Sequence, residues 1–316
     1  MDWIKKPIDV ISTGEILIDM IGQQMDKPIS ETQDFQKFLG GSPANVAFNL
    51  SKLKRKVVFV GCIGQDGLGE FIQQSFNKHH LNQDNLRQDK THPTSTILVS
   101  KTSGTPDFIP YRHADFQIKP QQFDEAMLKK AKVFHTTCFA LSKNPARDSI
   151  LKAAKIAYNY DCKLSIDLNY SSKIWPDRDE AQQVISTYLK LNPLLKISED
   201  DVNRWLDTNL SDLEIFEYFK TNFGVDDIYL TLGSKGVKFL DKKDKIIHIP
   251  AEQIDSVKDA TGAGDAFWSG FLFGYTQGFD EERCIKMALQ LAAIKLQHVG
   301  GLASDLNLVD ELTESS

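Results

Sequence analysis

The residues best suited to chemistry lie together in one short segment near the end of the chain, Asp259-Ala-Thr-Gly-Ala-Gly-Asp265. Gly262 and Gly264 allow the backbone to approach a bound phosphate closely. The apolar residues that follow have helical spacing, so the glycines are expected at a helix N-terminus, where free N–H groups and the helix dipole favour an anion. The Asp265 carboxylate would repel a bound phosphate, so its presence at this position is explained if it takes a proton from an attacking hydroxyl. A plain glycine-rich turn is the alternative interpretation.

A second glycine-rich segment follows a predicted strand, but it matches neither common nucleotide motif. Gly61-Cys-Ile-Gly64-Gln-Asp-Gly67-Leu-Gly69 does not fit G-x-G-x-x-G, so a dinucleotide-binding oxidoreductase is a weak alternative. The pattern GxxxxGK[ST] does not occur in the sequence, so a P-loop kinase is not supported.

The elements that must position these residues alternate regularly along the chain. Short, β-branched apolar runs predict buried strands, and the amphipathic stretches between them predict helices. Strands are predicted at Ile8–Thr13, Val57–Ile63, Val133–Cys138, Leu164–Leu168, Leu194–Ile197 and Ile228–Leu232, and helices at Pro43–Leu53, Leu68–His79, Ala146–Tyr160, Arg178–Lys190, Leu213–Phe223, Gly262–Gln277 and Glu281–His298. This alternation predicts a three-layer α/β fold, with helices on both faces of a mostly parallel central sheet.

Two stretches, residues 15–39 and 91–116, interrupt this alternation with short strands and polar turns. Thr91–Lys101 is the clearest candidate for a strand pair, and we expect the two stretches to form a small separate sheet. The length of 316 residues suggests two domains by itself.

Composition and charge exclude several classes of protein. A hydrophobic content of 41% supports a large buried core. The net charge of -6 argues against a nucleic-acid binder, and the basic cluster at Lys52–Lys56 is interpreted as favourable charge at a helix C-terminus. No run approaches the roughly 20 apolar residues that span a bilayer, and no signal-peptide core is evident. The expected location is the cytoplasm, with scattered, reduced thiols at Cys62, Cys138, Cys162 and Cys284.

Two motifs resemble the signatures of the PfkB/ribokinase family of carbohydrate kinases. Residues 259–265 resemble the family's D-T-x-G-A-G-D, with Ala260 where Thr is usual. Gly40-Gly41-Ser-Pro-Ala-Asn45-Val-Ala resembles the N-terminal signature G-G-x-x-x-N-x-A. The two motifs occur in the family's order, and the resemblance covers about residues 8–305. It implies a single ribokinase-like α/β domain over residues 1–316, with a β-sheet lid inserted from residues 15–39 and 91–116. It also implies ATP-dependent phosphorylation of a sugar hydroxyl assisted by Mg²⁺.

The resemblance assigns a role to each motif residue. Asp265 would be the general base, and the backbone N–H groups of Gly262, Ala263 and Gly264 would form an anion hole. The sugar would be bound by residues of the N-terminal signature and by an aspartate after the first strand, namely Asp19, Gly40, Gly41 and Asn45. Carboxylate and amide groups suit sugars because they form strong hydrogen bonds to hydroxyls.

Other segments resemble fructokinase-like members of the family. Tyr111-Arg112-His-Ala-Asp115 implies that Arg112 hangs over the sugar, and Asp167-Leu-Asn169 implies two further sugar contacts from Asp167 and Asn169. The family's arginine in this last segment is replaced by Ser171, with Lys173 as the nearest basic residue, although lysine lacks the planar fork of arginine. This departure bears on the choice of sugar.

The nucleotide and ion sites are likewise implied by the resemblance. Lys196, Ser198 and Asp201 lie in a segment similar to the family's K-x-[NS]-x-x-E, with Asp201 expected to act on Mg²⁺ through water. Thr231, Gly233 and Gly236 match a T-x-G-x-x-G nucleotide turn. A monovalent-cation site for K⁺ is also implied, built from the carbonyls of Asp259 and Thr261 and completed by Gly300 and Ser304.

Fructose is the substrate that these segments favour, with phosphorylation at the 6-hydroxyl. The alternatives are 2-keto-3-deoxygluconate kinase and 5-dehydro-2-deoxygluconate kinase, and a nucleoside kinase is less favoured. A non-catalytic sugar- or nucleotide-binding regulator on the same scaffold is the alternative from a different class. A small sheet is unstable alone, so a homodimer formed through the lid is expected. Nucleic acid and membranes are not expected as partners.

Overall fold

The computed structural model describes residues 3–102, 107–298, 302 and 308–314. The strands are, in chain order, β1 (Ile8–Thr13), β2 (Leu17–Met25), β3 (Phe35–Gly40), β4 (Val57–Gly64), β5 (Leu86–Asp89), β6 (Thr96–Lys101), β7 (Phe108–Tyr111), β8 (Ala131–Thr137), β9 (Lys163–Asp167), β10 (Leu194–Ser198), β11 (Ile228–Thr231), β12 (Val237–Leu240) and β13 (Ile246–Ile249). The α-helices are α1 (Ser42–Lys52), α2 (Gly67–Lys78), α3 (Glu125–Lys129), α4 (Ala146–Asn159), α5 (Arg178–Leu189), α6 (Glu199–Leu206), α7 (Asp212–Phe223), α8 (Ala263–Tyr275), α9 (Glu281–Leu296) and α10 (Leu308–Glu314).

A nine-stranded sheet in the order β13-β12-β11-β10-β9-β8-β1-β4-β5 forms the centre of the fold. From β11 to β5 every neighbouring pair of strands is parallel, and β12 and β13 extend one edge as an antiparallel hairpin. The helices between successive parallel strands provide the crossovers that such pairing requires. The predicted α/β fold with a mostly parallel sheet is therefore confirmed.

Alternate residues of the central strands face two different layers of helices. Val10 and Val133 belong to a core cluster with residues of α1, α8 and α9. Ile11 and Phe134 belong to a second cluster with residues of α4, α5, α6 and α7. Because side chains alternate between the two faces of a strand, the almost fully buried pattern of these strands requires cover on both sides. The result is the predicted three-layer sandwich.

A separate four-stranded sheet in the order β3-β2-β6-β7 is formed by the two interrupting stretches. The β2 strand pairs with β3 in antiparallel and with β6 in parallel orientation, and β6 pairs with β7 in antiparallel orientation. The prediction of a small separate sheet is confirmed, with one correction. Only Thr96–Lys101 of the expected pair at 91–101 is a strand, and its antiparallel partner is β7.

Two further expectations from the sequence can be compared with the described residues. All four cysteines are buried and unpaired. Helix α1 ends at Lys52, so the basic cluster begins in its last turn, as charge at a helix C-terminus requires. Within the described ranges, no helix combines the length and apolar character needed to cross a bilayer.

Candidate active site

The parallel strands bring several predicted site residues to one edge of the central sheet. Asp167 ends β9, Ser198 ends β10 and Thr231 ends β11. The register places Lys196 beside Asp167 and Ser198 beside Thr231. Ligands of open α/β sheets bind at the carboxyl ends of the strands, so this edge is the expected location of a site.

Asp265 lies in the first turn of α8 and is held by the first turn of α1. The Ser42 hydroxyl donates a hydrogen bond to Oδ1 across 2.7 Å, and the Asn45 side-chain amide donates to Oδ2 across 2.8 Å. Each carboxylate oxygen of Asp265 therefore has one donor, which fixes the orientation of the group.

The close approach of the N-terminus of α1 to the chain after β1 depends on Gly41. This residue has φ +101°, and a Cβ atom there would lie 2.3 Å from the Glu15 carbonyl oxygen. Gly40 has a similar restriction, because its Cβ would lie 2.4 Å from a carboxylate oxygen of Asp19. The two glycines thus make room for Asp19 and for the start of α1 beside it.

Burial raises the pKa of two neighbouring carboxyl groups, Asp265 and Asp19. Desolvation raises the pKa of Asp265 above its usual range, although the hydrogen bonds from Ser42 and Asn45 and the charges of Lys196 and Lys295 oppose the shift. Desolvation also raises the pKa of Asp19 to about 7, and the nearby charge of Asp265 adds to that rise. Both groups are thus more basic than an ordinary aspartate, as a proton acceptor needs to be.

The glycine loop forms the N-terminus of α8. Gly262 is the N-cap residue, in a left-handed conformation with φ +77°. A Cβ atom on Gly264 would lie 3.2 Å from Lys196 Nζ, so a larger residue would press on this amine. The Ala263 N–H donates to the Ala260 carbonyl at 3.2 Å, a long bond that a phosphate oxygen could replace. The predicted anion hole therefore has a cationic side chain directly beside it.

Lys196 and Asp167 form a buried ion pair, with Nζ 2.7 Å from Oδ2. Burial raises the pKa of Asp167 to about 6, and the charge of Lys196 opposes that rise. Burial opposes the charged form of Lys196, but the neighbouring carboxylates of Asp167, Asp201 and Asp265 raise its pKa overall. The pair is therefore ionised at neutral pH, and Lys196 offers a fixed positive charge at the edge of the sheet.

Both carboxylate oxygens of Asp201 are already engaged by neighbouring side chains. Its Oδ2 accepts a hydrogen bond from Ser198 Oγ at 2.5 Å in a capping box at the start of α6, and its Oδ1 pairs with Arg204 at 2.7 Å. Asp167 Oδ1, in contrast, is buried without a hydrogen-bond partner. Magnesium usually keeps several waters and binds through one or two carboxylates and substrate phosphates. The unpartnered Oδ1 of Asp167 fits such a hydrated ion, whereas Asp201, whose two oxygens are already engaged, would contact it only through water.

A cavity of about 360 Å³ opens beside the glycine loop. Asp19, Asn45 and Gly262 line one part of it, and Lys52, Lys78 and His79 line another. Burial lowers the pKa of Lys52 to about 8, and the charge of Lys78 adds to this effect. Burial lowers the pKa of His79 to about 4, with Lys52 and Lys78 as further causes. The second part of the cavity is therefore electropositive and would be stabilised by an anion.

Arg112 and Asn169 make contacts within the protein. The Arg112 guanidinium is buried, lies 2.6 Å from Asp115 Oδ2 and stacks 4.1 Å from the ring of Phe139. Asn169 Oδ1 accepts the Phe139 N–H at 3.1 Å and so joins the loops after β8 and β9. A sugar contact from Arg112 stays a prediction, since three of its five N–H groups already donate to Asp115 and Ser142. The Lys173 ammonium reaches the small sheet, where it pairs with Asp107 and donates to the Phe108 carbonyl at 2.9 Å.

The predicted nucleotide turn connects β11 to β12. Thr231 Oγ1 donates to the Ile197 carbonyl at 3.1 Å, which fixes the end of β11 against β10. Gly233 is exposed, with open space around its α-carbon, and Gly236 has φ +100°. A Cβ on Gly236 would lie 2.1 Å from the Ile249 carbonyl, so glycine is required to close the turn on β13. The backbone at Gly233 is exposed on the surface, and its carbonyl accepts the Gly236 N–H at 3.1 Å.

One predicted ligand of the monovalent-cation site, the Asp259 carbonyl, is contacted by the side chain of Lys295. The Lys295 ammonium lies 3.1 Å from the Asp259 carbonyl oxygen and 3.2 Å from the His298 carbonyl oxygen. Gly300 and Ser304, the other two predicted ligands, lie outside the described residues. The carbonyl of Asp259 is therefore already paired with a cation that belongs to the chain.

Sequence reasoning did not assign a role to Ser42, Glu15 or Lys295. Ser42 lies within the N-terminal signature, so its position between Gly41 and Asn45 was the available signal. Glu15 is buried and accepts a hydrogen bond from Thr137 Oγ1 at 2.8 Å, and burial raises its pKa to about 8. Lys295 stands in an otherwise apolar stretch of α9, where a buried charge is unusual.

Comparison with known proteins agrees with this geometry. Residues 8–307 match the model of the pfkB family of carbohydrate kinases. The chain is 31% identical to an ATP-dependent 6-phosphofructokinase of Thermoanaerobacterium thermosaccharolyticum, covering 97% of this chain and 93% of that protein. It is 27% identical to a 5-dehydro-2-deoxygluconokinase of Clostridium perfringens, covering 92% and 87%. The structure of Halothermothrix orenii fructokinase superposes with a TM-score of 0.79 at 34% identity, covering 89% and 97% of the two chains. The chain therefore belongs to the pfkB family of carbohydrate kinases.

Proposed function

We propose that this kinase transfers the γ-phosphoryl group of ATP to the 6-hydroxyl of fructose. One observation carries the proposal: the carboxylate of Asp265 is fixed by Ser42 and Asn45 at a helix N-terminus whose glycine loop adjoins Lys196. A base, an anion-binding backbone and a buried cation are the parts that phosphoryl transfer needs. The solved fructokinase that resembles this chain supports fructose as the sugar.

In the proposed reaction, Asp265 accepts the proton of the sugar hydroxyl as its oxygen attacks the γ-phosphorus. A new O–P bond forms, the bond to the ADP oxygen breaks, and the proton stays on Asp265 until it is released to solvent. The N–H groups of residues 262–264 and the Lys196 ammonium stabilise the charge that develops on the phosphoryl oxygens. Asp19 orients the sugar through its hydroxyls. A Mg²⁺ ion held near Asp167 and Asp201 would neutralise phosphate charge when bound.

A coupled assay of ADP release would test this proposal. Fructose, 2-keto-3-deoxygluconate, 5-dehydro-2-deoxygluconate, ribose and nucleosides would be compared at equal concentrations with Mg-ATP. We expect the highest kcat/KM with fructose. A higher value with one of the keto acids would identify the corresponding alternative kinase. Ligand-dependent thermal stabilisation without any ADP release would favour the non-catalytic regulator instead.

Fructose 6-phosphate is the second candidate acceptor, because two observations favour it. The 6-phosphofructokinase relative is similar over nearly its whole length. The cavity beside Asp19 is also lined by Lys52 and Lys78, whose mutual repulsion a phosphate would relieve. Replacing Lys52 and Lys78 by Met should raise the KM for fructose 6-phosphate and leave the KM for fructose unchanged. The variant therefore separates the two acceptors within one assay.

The small sheet is proposed to act as a lid over the sugar and to pair with a second copy. Met25, Ile109 and Tyr111 are exposed apolar residues of this sheet, with Met25 56% accessible. Closing a lid would exclude water and limit wasteful ATP hydrolysis. Light scattering at micromolar concentration should give the mass of a dimer, and a variant with Ile109→Lys and Tyr111→Lys should give that of a monomer. The buried, unpaired thiols fit the reducing cytoplasm as the place of action.

A further inference from the structure

The Lys295 side chain is almost fully buried between the C-terminus of α9 and the loop that precedes α8. Only 4% of the side chain is accessible. Its ammonium donates to the backbone carbonyls of Asp259 and His298, and it lies 3.5 Å from Asp259 Oδ2. A buried cation is costly unless it is paired, so these three oxygens are required to hold the charge.

The Lys295 side chain also lies beside the glycine loop. A Cβ atom on Gly262 would lie 3.9 Å from Lys295 Cε. The loop is tied to α9 by a further bond, from the Lys258 N–H to the Leu296 carbonyl at 2.8 Å. The Asp259 carboxylate in turn accepts the Thr261 N–H at 2.9 Å. The chain from residue 258 to residue 262 is therefore fixed around a single positive charge.

A bound monovalent cation does not fit the same place. The Asp259 carbonyl, which the family resemblance assigns to such an ion, already accepts from Lys295, and an added cation would be repelled by the ammonium. The position near the C-terminal end of α9 favours one positive charge, because the helix dipole is negative there. The protein therefore supplies one positive charge at this position through Lys295, and that charge repels a second cation.

We propose that Lys295 serves as a covalently attached monovalent cation, which positions the glycine loop and makes the kinase independent of K⁺. Lys295 is a positioning residue in this proposal, since it acts through the Asp259 carbonyl and the backbone of Gly262. Its charge also adds to the positive potential at the phosphate site. The proposal concerns the ion requirement, and it holds for whichever sugar is the acceptor.

The test compares the wild-type protein with Lys295→Ala and Lys295→Met at constant ionic strength, with KCl exchanged for tetramethylammonium chloride. We expect wild-type kcat to be equal in both salts. Lys295→Ala should lose roughly 100-fold in kcat without K⁺ and recover at least tenfold when K⁺ fills the vacated space. Lys295→Met fills that space with an apolar chain and should lose activity without recovery. Lys286→Met, an exposed lysine of the same helix, should behave like the wild type.

A binding readout keeps the test independent of the kinase assay. The melting temperature of Lys295→Ala should be higher in KCl than in tetramethylammonium chloride at the same ionic strength, whereas that of the wild type should be equal in the two salts. If Lys295→Ala does not fold, the comparison of wild-type kcat in the two salts tests the proposal by itself. Several-fold activation of the wild-type enzyme by K⁺, or a K⁺-dependent rise of its melting temperature, would overturn the proposal. Absence of ADP release with every sugar, together with the expected melting shifts, would instead count against the proposed function.

Discussion

The side-chain amide of Asn45 donates a hydrogen bond to Oδ2 of Asp265 across 2.8 Å, although 220 residues separate the two in the chain. Together with Ser42, it fixes both oxygens of the proposed base from one helix turn. The N-terminal signature thus orients the base in this structure, in addition to the sugar-binding role that the resemblance implies for Asn45. The proposed base therefore depends on both helices, because α8 carries Asp265 and α1 supplies the two donors that orient it.

Replacing Asp265 by Asn should lower kcat by about 10²–10⁴, because the amide cannot take the proton of the attacking hydroxyl. The Kd for Mg-ATP, measured by calorimetry, should change little, since the glycine loop and Lys196 are retained. Near-normal turnover in this variant would contradict the assignment of the base.

Replacing Ser42 by Ala should lower kcat/KM by about 10–100-fold, the usual cost of a lost hydrogen bond to a charged group. It should also move the acid limb of the pH profile to higher pH, because the Ser42 hydrogen bond lowers the pKa of Asp265. Ser51→Ala is the matched control, since Ser51 on the same helix donates only to the His79 carbonyl. An unchanged acid limb in Ser42→Ala would argue against Asp265 as the titrating group.

Replacing Lys196 by Met should lower the free energy of unfolding by about 3–5 kcal/mol, because the buried Asp167 carboxylate loses its partner. The double variant Lys196→Met/Asp167→Asn should regain most of this stability, measured by urea unfolding. It should not regain a normal KM for ATP, because the positive charge beside Gly264 stays absent. Recovery of both properties in the double variant would restrict the pair to a structural role.

Replacing Glu15 by Gln should make stability less dependent on pH. The pKa of Glu15 is raised from 4.5 to about 8 in the folded state, so the folded protein binds more protons than the unfolded chain between these values. Stability therefore falls as the pH rises from about 4.5 to about 8, and it levels off above. The melting temperatures of wild type and variant should thus diverge over this range, with the variant the more stable at pH 8. Parallel curves would show that Glu15 does not titrate there.

The elements that position the site could be predicted because their patterns are local. The buried strand β4 is a continuous apolar run, and the glycine loop stands directly before an apolar helix. The α6 helix was not predicted, since it has only eight residues and begins with three acidic residues. The β12–β13 hairpin was missed for a similar reason, because its strands are short and its turn is rich in lysine and aspartate.

Pairings between distant side chains could not be predicted from the sequence in the same way. Nothing near Lys295 indicates that its ammonium reaches the Asp259 carbonyl, because that contact depends on how α9 packs against the loop before α8. The same holds for Arg112, whose partner Asp115 is local but whose burial under Phe139 follows from the loop after β8. Such contacts are set by tertiary packing, on which propensities and motifs give no information.

The long separation in sequence between α1 and α8 has a consequence during synthesis of the protein. Ribosomes add about 5–20 residues per second, so the 220 residues between Asn45 and Asp265 take roughly 10–45 s to make. Throughout that interval the growing chain contains the fixing groups Ser42 and Asn45 but no base, glycine loop or Lys295. If Asp265 is the base, as proposed, an incomplete or prematurely terminated chain would not phosphorylate a sugar, and activity would arise only when the last fifth of the protein is synthesised.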